Sequence, residues 1–178
     1  MDFKIVTKKI LDAFLAAEVR YSLIGGFALG VWEAGRSTVD MDFLVHRDDL
    51  DKIGKIMAGL GYECKYKTEN VSQYVSPLKI FGEIDFIHAF RKASLEMLTR
   101  AKEKEIFNGE IKIKVLCPED LIGLKLQAMK NNPSREPTDR ADIEALISLH
   151  REKLDWELLE EYFKLFEMEY LFNKLRNK

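Results

Sequence analysis

Three aspartates interrupt segments that otherwise carry the residue pattern of buried β-strands, and this feature narrows the folds open to the chain more than any other. One segment reads Asp40-Met41-Asp42-Phe43-Leu44-Val45; the other, far downstream, reads Glu83-Ile84-Asp85-Phe86-Ile87. Side chains alternate along a strand, so Asp40 and Asp42 project from one face and Met41, Phe43 and Val45 from the other. The Asp face turns apolar again at Leu44, as expected of a strand that passes from an open rim into a core. Asp85 shares its face with Glu83 and Ile87, between Ile84 and Phe86, which face a core. Carboxylates held this close raise each other's pKa unless a cation or a basic neighbour sits among them. The Asp-x-Asp spacing alone leaves two readings open: a cation-binding rim, or unrelated acids on a solvated strand face.

The surrounding pattern supplies the elements of a mixed sheet. Phe3, Val6, Ile10, Phe14 and Ala17 recur at helical spacing, which predicts an amphipathic helix over 3–17. Tyr21 to Ile24 reads as a short strand, Gly25-Gly26 breaks it, and Phe27 to Trp32 continues as a helix stopped by Gly35. Met41 to Val45 is the next strand. Asp48 or Asp49 then caps a helix carrying Leu50, Ile53, Ile56, Met57 and Leu60, which ends in the Gly59 to Gly61 region. Strands are expected at 63–67, 71–75 and 79–87, a helix at 94–104, and a hairpin over 106–115 turning at Asn108-Gly109, a dipeptide that accepts positive φ. Pro118 opens a helix with Glu119 and Asp120 in its first turn. Residues 131–137 read as a loop, and helices follow at about 139–150, 155–166 and 170–175. The fold class expected is α/β (α+β), a mixed twisted sheet flanked by helices. The sheet core is assigned to 1–116 and a helical extension packed on it to 117–178, as one compact unit.

With 178 residues the chain suffices for about one such unit. No run of about 18 apolar residues suggests a membrane span, and no leader pattern opens the chain, so a cytoplasmic location is expected. Cys64 and Cys117 stand outside any ligand motif and read as reduced structural thiols. A net charge of −2 withholds the basic field of a dedicated duplex-DNA binder.

If the strand of Asp85 lies beside that of Asp40 and Asp42, the three acids can hold two magnesium ions about 3.5–4 Å apart, the spacing of two-metal phosphoryl chemistry. Gly25-Gly26 at a helix start lets the backbone approach an anion such as a triphosphate; read alone, the pair is also a plain turn. Arg36 and Thr38 lie in the loop entering the Asp strand, where a guanidinium can meet phosphate oxygens or the carboxylates themselves. Lys125 either reaches inward to phosphate or is a surface lysine. Asp139 and Asp142, three apart on a helix, are either a further acidic element or charge at a helix start.

The run Gly25-Gly26-x-Ala28, then Arg36-x-Thr38-x-Asp40-x-Asp42, and the later Asp85 resemble the nucleotidyltransferase superfamily typified by DNA polymerase beta. The chain looks closest to the small branch containing AbiEii-type toxins and to the lincosamide and aminoglycoside nucleotidyltransferases. Pro118-Glu119-Asp120-Leu121-Ile122-Gly123-Leu124-Lys125, with Arg135 and Asp139-Arg140-Ala141-Asp142, is similar to the toxin-like branch's helical lysine and acidic motifs, so the likeness covers about residues 20 to 150. The superfamily often carries Gly-Ser where this chain has Gly25-Gly26, which removes a hydroxyl that can touch phosphate.

The resemblance implies an NTP such as ATP and Mg²⁺ (or Mn²⁺) as cosubstrates, and transfer of a nucleoside monophosphate to an acceptor hydroxyl with release of pyrophosphate. It makes Asp40, Asp42 and Asp85 the catalytic and metal-binding set, with Asp85 helping to deprotonate the acceptor. Gly25, Gly26, Arg36, Thr38 and Lys125 become nucleotide-binding, and Asp139 and Asp142 remain further acidic candidates. The acceptor is left open among tRNA, protein and a small molecule. A second reading keeps the fold without transfer: a nucleotide- or partner-binding module, for instance beside an antitoxin partner in a toxin–antitoxin pair.

Overall fold

The computed structural model describes residues 1–35, 37–78 and 80–177. Helix α1 (Phe3–Ala16) starts where the Asp2 carboxylate accepts a hydrogen bond from the Ile5 N–H at 3.1 Å, and its stripe of Val6, Ile10 and Phe14 is buried. Strand β1 (Tyr21–Ile24) runs directly into helix α2 (Gly25–Val31), so the helix begins at the glycine pair itself, two residues earlier than the pattern suggested. Strand β2 (Met41–His46) is followed by a 3-10 turn over Arg47–Asp49 and helix α3 (Leu50–Gly59). Asp49 occupies the cap position without capping; its carboxylate instead accepts hydrogen bonds from the backbone and guanidinium of Arg20 at 3.0 and 2.8 Å.

Strands β3 (Glu63–Lys67) and β4 (Val71–Val75) fall where the sequence pattern puts them. Strand β5 (Glu83–Ala89) begins four residues later than expected, because the chain turns at Gly82 with φ +64°, and a side chain there would meet Met1 Cε at 2.7 Å. The proposed strand start, Lys79, lies outside the described residues. Helix α4 (Lys92–Arg100) stops short of the expected 104, and Lys102–Ile106 forms strand β6, antiparallel to β7 (Ile111–Val115). The charge-rich Lys-Glu-Lys-Glu run reads as a helix surface, yet charge is equally what an outermost strand uses to avoid pairing with another chain. The hairpin turn takes four residues, with positive φ at Phe107, Asn108 and Gly109, rather than the two of a tight type I′ loop.

The seven strands form one sheet in the order β3-β4-β5-β2-β1-β7-β6. β1 runs antiparallel to β2 and parallel to β7, and β2 runs parallel to β5, so the sheet is mixed. Helices α5 (Pro118–Asn131), α6 (Glu136–His150), α7 (Trp156–Leu165) and α8 (Glu169–Arg176) complete the described chain. Pro137 stands in the first turn of α6 rather than in a loop, the position where a missing N–H costs a helix nothing. A single hydrophobic cluster runs from Phe14, Phe43 and Phe86 to Leu126, Leu146, Phe163 and Phe172, so sheet and C-terminal helices share one core. Among the described residues no helix is long and apolar enough to cross a membrane.

Candidate active site

Pairing of β2 with β5 brings the distant aspartates together. Asp42 lies opposite Asp85 in the parallel register, and opposite Ile24 on its other side, so all three side chains leave the same face of the sheet. Asp40 lies two residues before Asp42, at the rim, where its Oδ1 accepts a hydrogen bond from the Thr38 hydroxyl at 2.6 Å. Gly25 has φ +69°, and a Cβ there would stand 1.9 Å from Asp42 Oδ2; a Cβ at Gly26 would stand 2.7 Å from Thr38 Oγ1. The glycine pair is therefore required by the chain's own Asp42 and Thr38, which fill the space a side chain would need. Arg36 lies outside the described residues.

The acids are poorly compensated. Burial pushes the Asp42 carboxyl up to about 7, the charges of Asp40 and Asp85 add to the effect, and Lys125 and Arg135 oppose it. Burial likewise raises Asp85, against a hydrogen bond from the Gln73 amide opposite it on β4, while Glu83 and Asp40 push it further up. Asp85 Oδ1 is buried without a hydrogen-bond partner. A buried acceptor left in that state is destabilising by about 1–3 kcal/mol unless something binds there. Among the described residues, no three histidine, cysteine or acidic side chains are gathered into a ready metal-ligand set. Like charges with no cation between them repel, and Thr38 and Gln73 engage the outer two carboxylates.

Across the cleft stands a wall of opposite character. Lys125 on α5 is buried, and its ammonium donates to Asp139 Oδ1 at 3.1 Å and Asp142 Oδ2 at 2.6 Å, both on α6. Arg135 adds two hydrogen bonds to Asp139, at 2.8 and 3.3 Å. Burial opposes ionisation of Asp139, but Arg135 and Lys125 outweigh it and hold the carboxyl below the usual range. Asp139 and Asp142 thus face two cations of their own wall, and Lys125 is a cleft residue rather than a surface one.

The space between the walls has a volume of about 680 Å³ and is lined by the glycine pair, Thr38, the three aspartates, Lys125 and Arg135. Tyr66, Gln73, Asn131 and Asn132 also line it. A larger groove of about 840 Å³ lies between α1, α4 and the β6–β7 hairpin, but it contains none of the three aspartates. The chemistry is concentrated in the smaller cleft. Gln73 and Tyr66 escaped sequence reasoning because only the strand register brings them into line with Asp85.

The same arrangement of sheet and helices recurs in known proteins. The crystal structure of ANT(2″)-Ia in complex with adenylyl-2″-tobramycin matches with a TM-score of 0.70 at 16% identity, covering 94% of this chain and 99% of that one. The lincosamide antibiotic adenylyltransferase LnuA, lincomycin-bound, matches with a TM-score of 0.59 at 17% identity over 81% of this chain and 96% of its own. A nucleotidyltransferase structure from Thermotoga maritima gives 0.59 at 14% identity, over 76% of this chain and 90% of that one. Likeness at such identities establishes the fold. No curated protein sequence matches. Residues 6–173 match the sequence model of a family described as uncharacterised nucleotidyltransferases, and the chain belongs to that nucleotidyltransferase family.

Proposed function

We propose that the protein transfers a nucleoside monophosphate from an NTP to the hydroxyl of a small-molecule acceptor, with divalent metal, at the rim formed by Asp40, Asp42 and Asp85. The observation that carries this reading is the side-by-side placement of Asp42 and Asp85 with too little compensating charge: one carboxyl raised to about 7, the other with a buried, unpaired Oδ1. Such a rim fits a divalent cation, and Asp40, Asp42 and Asp85 would hold it. Magnesium or manganese, when bound, neutralises charge on the phosphates during the displacement.

The chain's own residues do the rest. The Gly25-Gly26 backbone, Thr38 and Lys125 line the phosphate side of the cleft. Asp85, whose carboxyl is raised, accepts the proton of the acceptor hydroxyl. The acceptor oxygen bonds to the α-phosphorus as the bond from that phosphorus to the bridging oxygen breaks, and pyrophosphate leaves with the electron pair. The fold shared with ANT(2″)-Ia and LnuA, whose structures hold adenylyl-2″-tobramycin and lincomycin, supports ATP as donor and a small hydroxylated acceptor.

Calorimetric titration with ATP tests the reading. Binding is expected only with Mg²⁺ present and is expected to disappear in Asp42→Asn. Equal binding in EDTA, with no labelled product from α-labelled ATP and a fractionated cell extract, would leave a nucleotide-binding module in place of an enzyme.

A further inference from the structure

We propose that Tyr66, Val71, Gln73 and Ile87 form the acceptor subsite, and that it takes an uncharged, hydroxyl-bearing small molecule with a planar or apolar ring face. This rests on the transferase reading above and extends it to the class of acceptor. The starting observation is a row of strand partners. Reading across the sheet from β1, Ile24 faces Asp42, Asp42 faces Asp85, Asp85 faces Gln73 and Gln73 faces Tyr66. Directly opposed residues project from the same face, so the carboxylates continue without interruption into an amide and a phenol.

In-line displacement puts the attacking oxygen and the leaving pyrophosphate on opposite sides of the phosphorus. With the glycine pair at one end of the row and Asp85 taking the acceptor's proton, the acceptor body must lie beyond Asp85, over Gln73 and Tyr66. Strands are about 4.8 Å apart, so two further strands give roughly 10 Å of platform, the width of one or two small rings.

Tyr66 occupies this row only because of an irregularity. Cys64 pairs with Tyr74 and Tyr66 with Gln73, so Lys65 is an extra residue and β3 is bulged there. In an unbroken register Lys65 would face Gln73, and Tyr66 would face Ser72, on the other side of the sheet. The bulge re-aims the tyrosine into the cleft in place of a lysine, a use to which bulges beside active sites are put. Tyr66 is 56% exposed there, and Ile87, also exposed, extends the shelf alongside Val71, which pairs with it.

The lining chemistry sets the class. Among the described lining residues the acids are Asp40, Asp42 and Asp85 alone, and all three belong to the proposed metal rim. Within that lining no further carboxylate remains for the ammonium groups of a polycation; Glu83, which acts on Asp85, is not part of it. What remains is an aromatic face, two aliphatic side chains and a neutral amide, which suit a ring that stacks and hydroxyls that hydrogen-bond.

The full-length protein, loaded with Mg²⁺ and α,β-methylene-ATP, is titrated against 4-methylumbelliferyl β-D-glucoside, which is neutral, planar at one end and hydroxylated at the other. Fluorescence should report saturable binding, weakened at least tenfold in Tyr66→Ala and retained in Tyr66→Phe, with nucleotide affinity the same in all three proteins. Tobramycin, a polycation, should bind more weakly than the glucoside. The proposal is overturned if the loaded protein ignores the glucoside, if Tyr66→Ala binds it unchanged, if that substitution weakens the nucleotide instead, or if tobramycin binds better. Nucleotide binding is measured before the glucoside is added, so its failure exposes a fault in the transferase reading itself and removes both.

Discussion

Asp42, half-buried, and Asp120, fully buried, are both carboxylates that lose water on folding, and they could hardly be treated more differently by the fold. Asp120, in the first turn of α5, is fully buried and surrounded by donors: the Arg100 guanidinium at 2.7 and 3.2 Å, the Tyr162 hydroxyl at 2.7 Å and the Cys117 thiol at 3.1 Å. The network joins α4, α5 and α7. Asp42 faces two further carboxylates, with Lys125 and Arg135 acting on it only across the cleft. Burial is common to both and therefore diagnostic of neither. What separates them is whether the neighbours complete the charge, and an uncompensated buried acid persists only where something outside the chain completes it.

The comparison makes opposite predictions for the two isosteric substitutions. Asp42→Asn should lower NMP transfer at least about 1000-fold, the scale of losing a principal electrostatic element of a site, as read from pyrophosphate release with Mg-ATP. Asp120→Asn should leave kcat nearly intact at low temperature but destabilise the fold by about 3 kcal/mol, because Arg100 keeps a partly buried charge without its partner. Urea melts would settle the second point. An unchanged midpoint for Asp120→Asn would mean that counting donors does not distinguish a structural acid from a site acid.

The same contrast explains how much was legible in the sequence. Asp40, Asp42 and Asp85 stood out because an acid inside an apolar strand violates a local pattern, and β1, β3 and β4 could be bounded because turn residues flank alternating ones. Partnerships between distant segments left no such trace. Asp49 looked like a helix cap because its position is local information, whereas Arg20 as its partner is not. Asp139 and Asp142 read equally as a further acidic element or as a helix's own charge until α5 delivered Lys125 between them. Strand β6 was hidden because its alternating charges suit a helix surface as well as an exposed edge. The bulge at Lys65 reverses the facing of Tyr66, and it has no glycine to announce it.

A pH titration sharpens the contrast. The metal-free folded state holds the Asp42 proton up to about pH 7, against an ordinary value of 3.8, so it binds that proton more tightly than the unfolded chain does. The resulting stabilisation is complete below about pH 4 and is lost as pH rises through 7. Metal-free wild type should therefore melt at a lower temperature at pH 8 than Asp42→Asn, whereas near pH 4 the two should converge. Added Mg²⁺ should raise the melting temperature of wild type and leave the variant alone. A variant less stable than wild type at pH 8 without metal would place Asp42 in the same class as Asp120.

The smallest expected effect concerns the residue that holds Asp40 rather than Asp40 itself. Thr38 touches that carboxylate through one hydrogen bond, and its hydroxyl occupies the space that Gly26 leaves open. Thr38→Val keeps the shape and removes the donor, so stability should change by no more than about 1 kcal/mol. If the hydroxyl only fills space, the apparent Mg²⁺ requirement for transfer should not move. If it orients Asp40, the valine variant should need several-fold more Mg²⁺ for half-maximal rate while saturating near the wild-type kcat, and Thr38→Ser should restore the wild-type requirement. A carboxylate freed from this donor gains mobility, and mobility in a ligand weakens cation binding before it impairs the chemistry that follows.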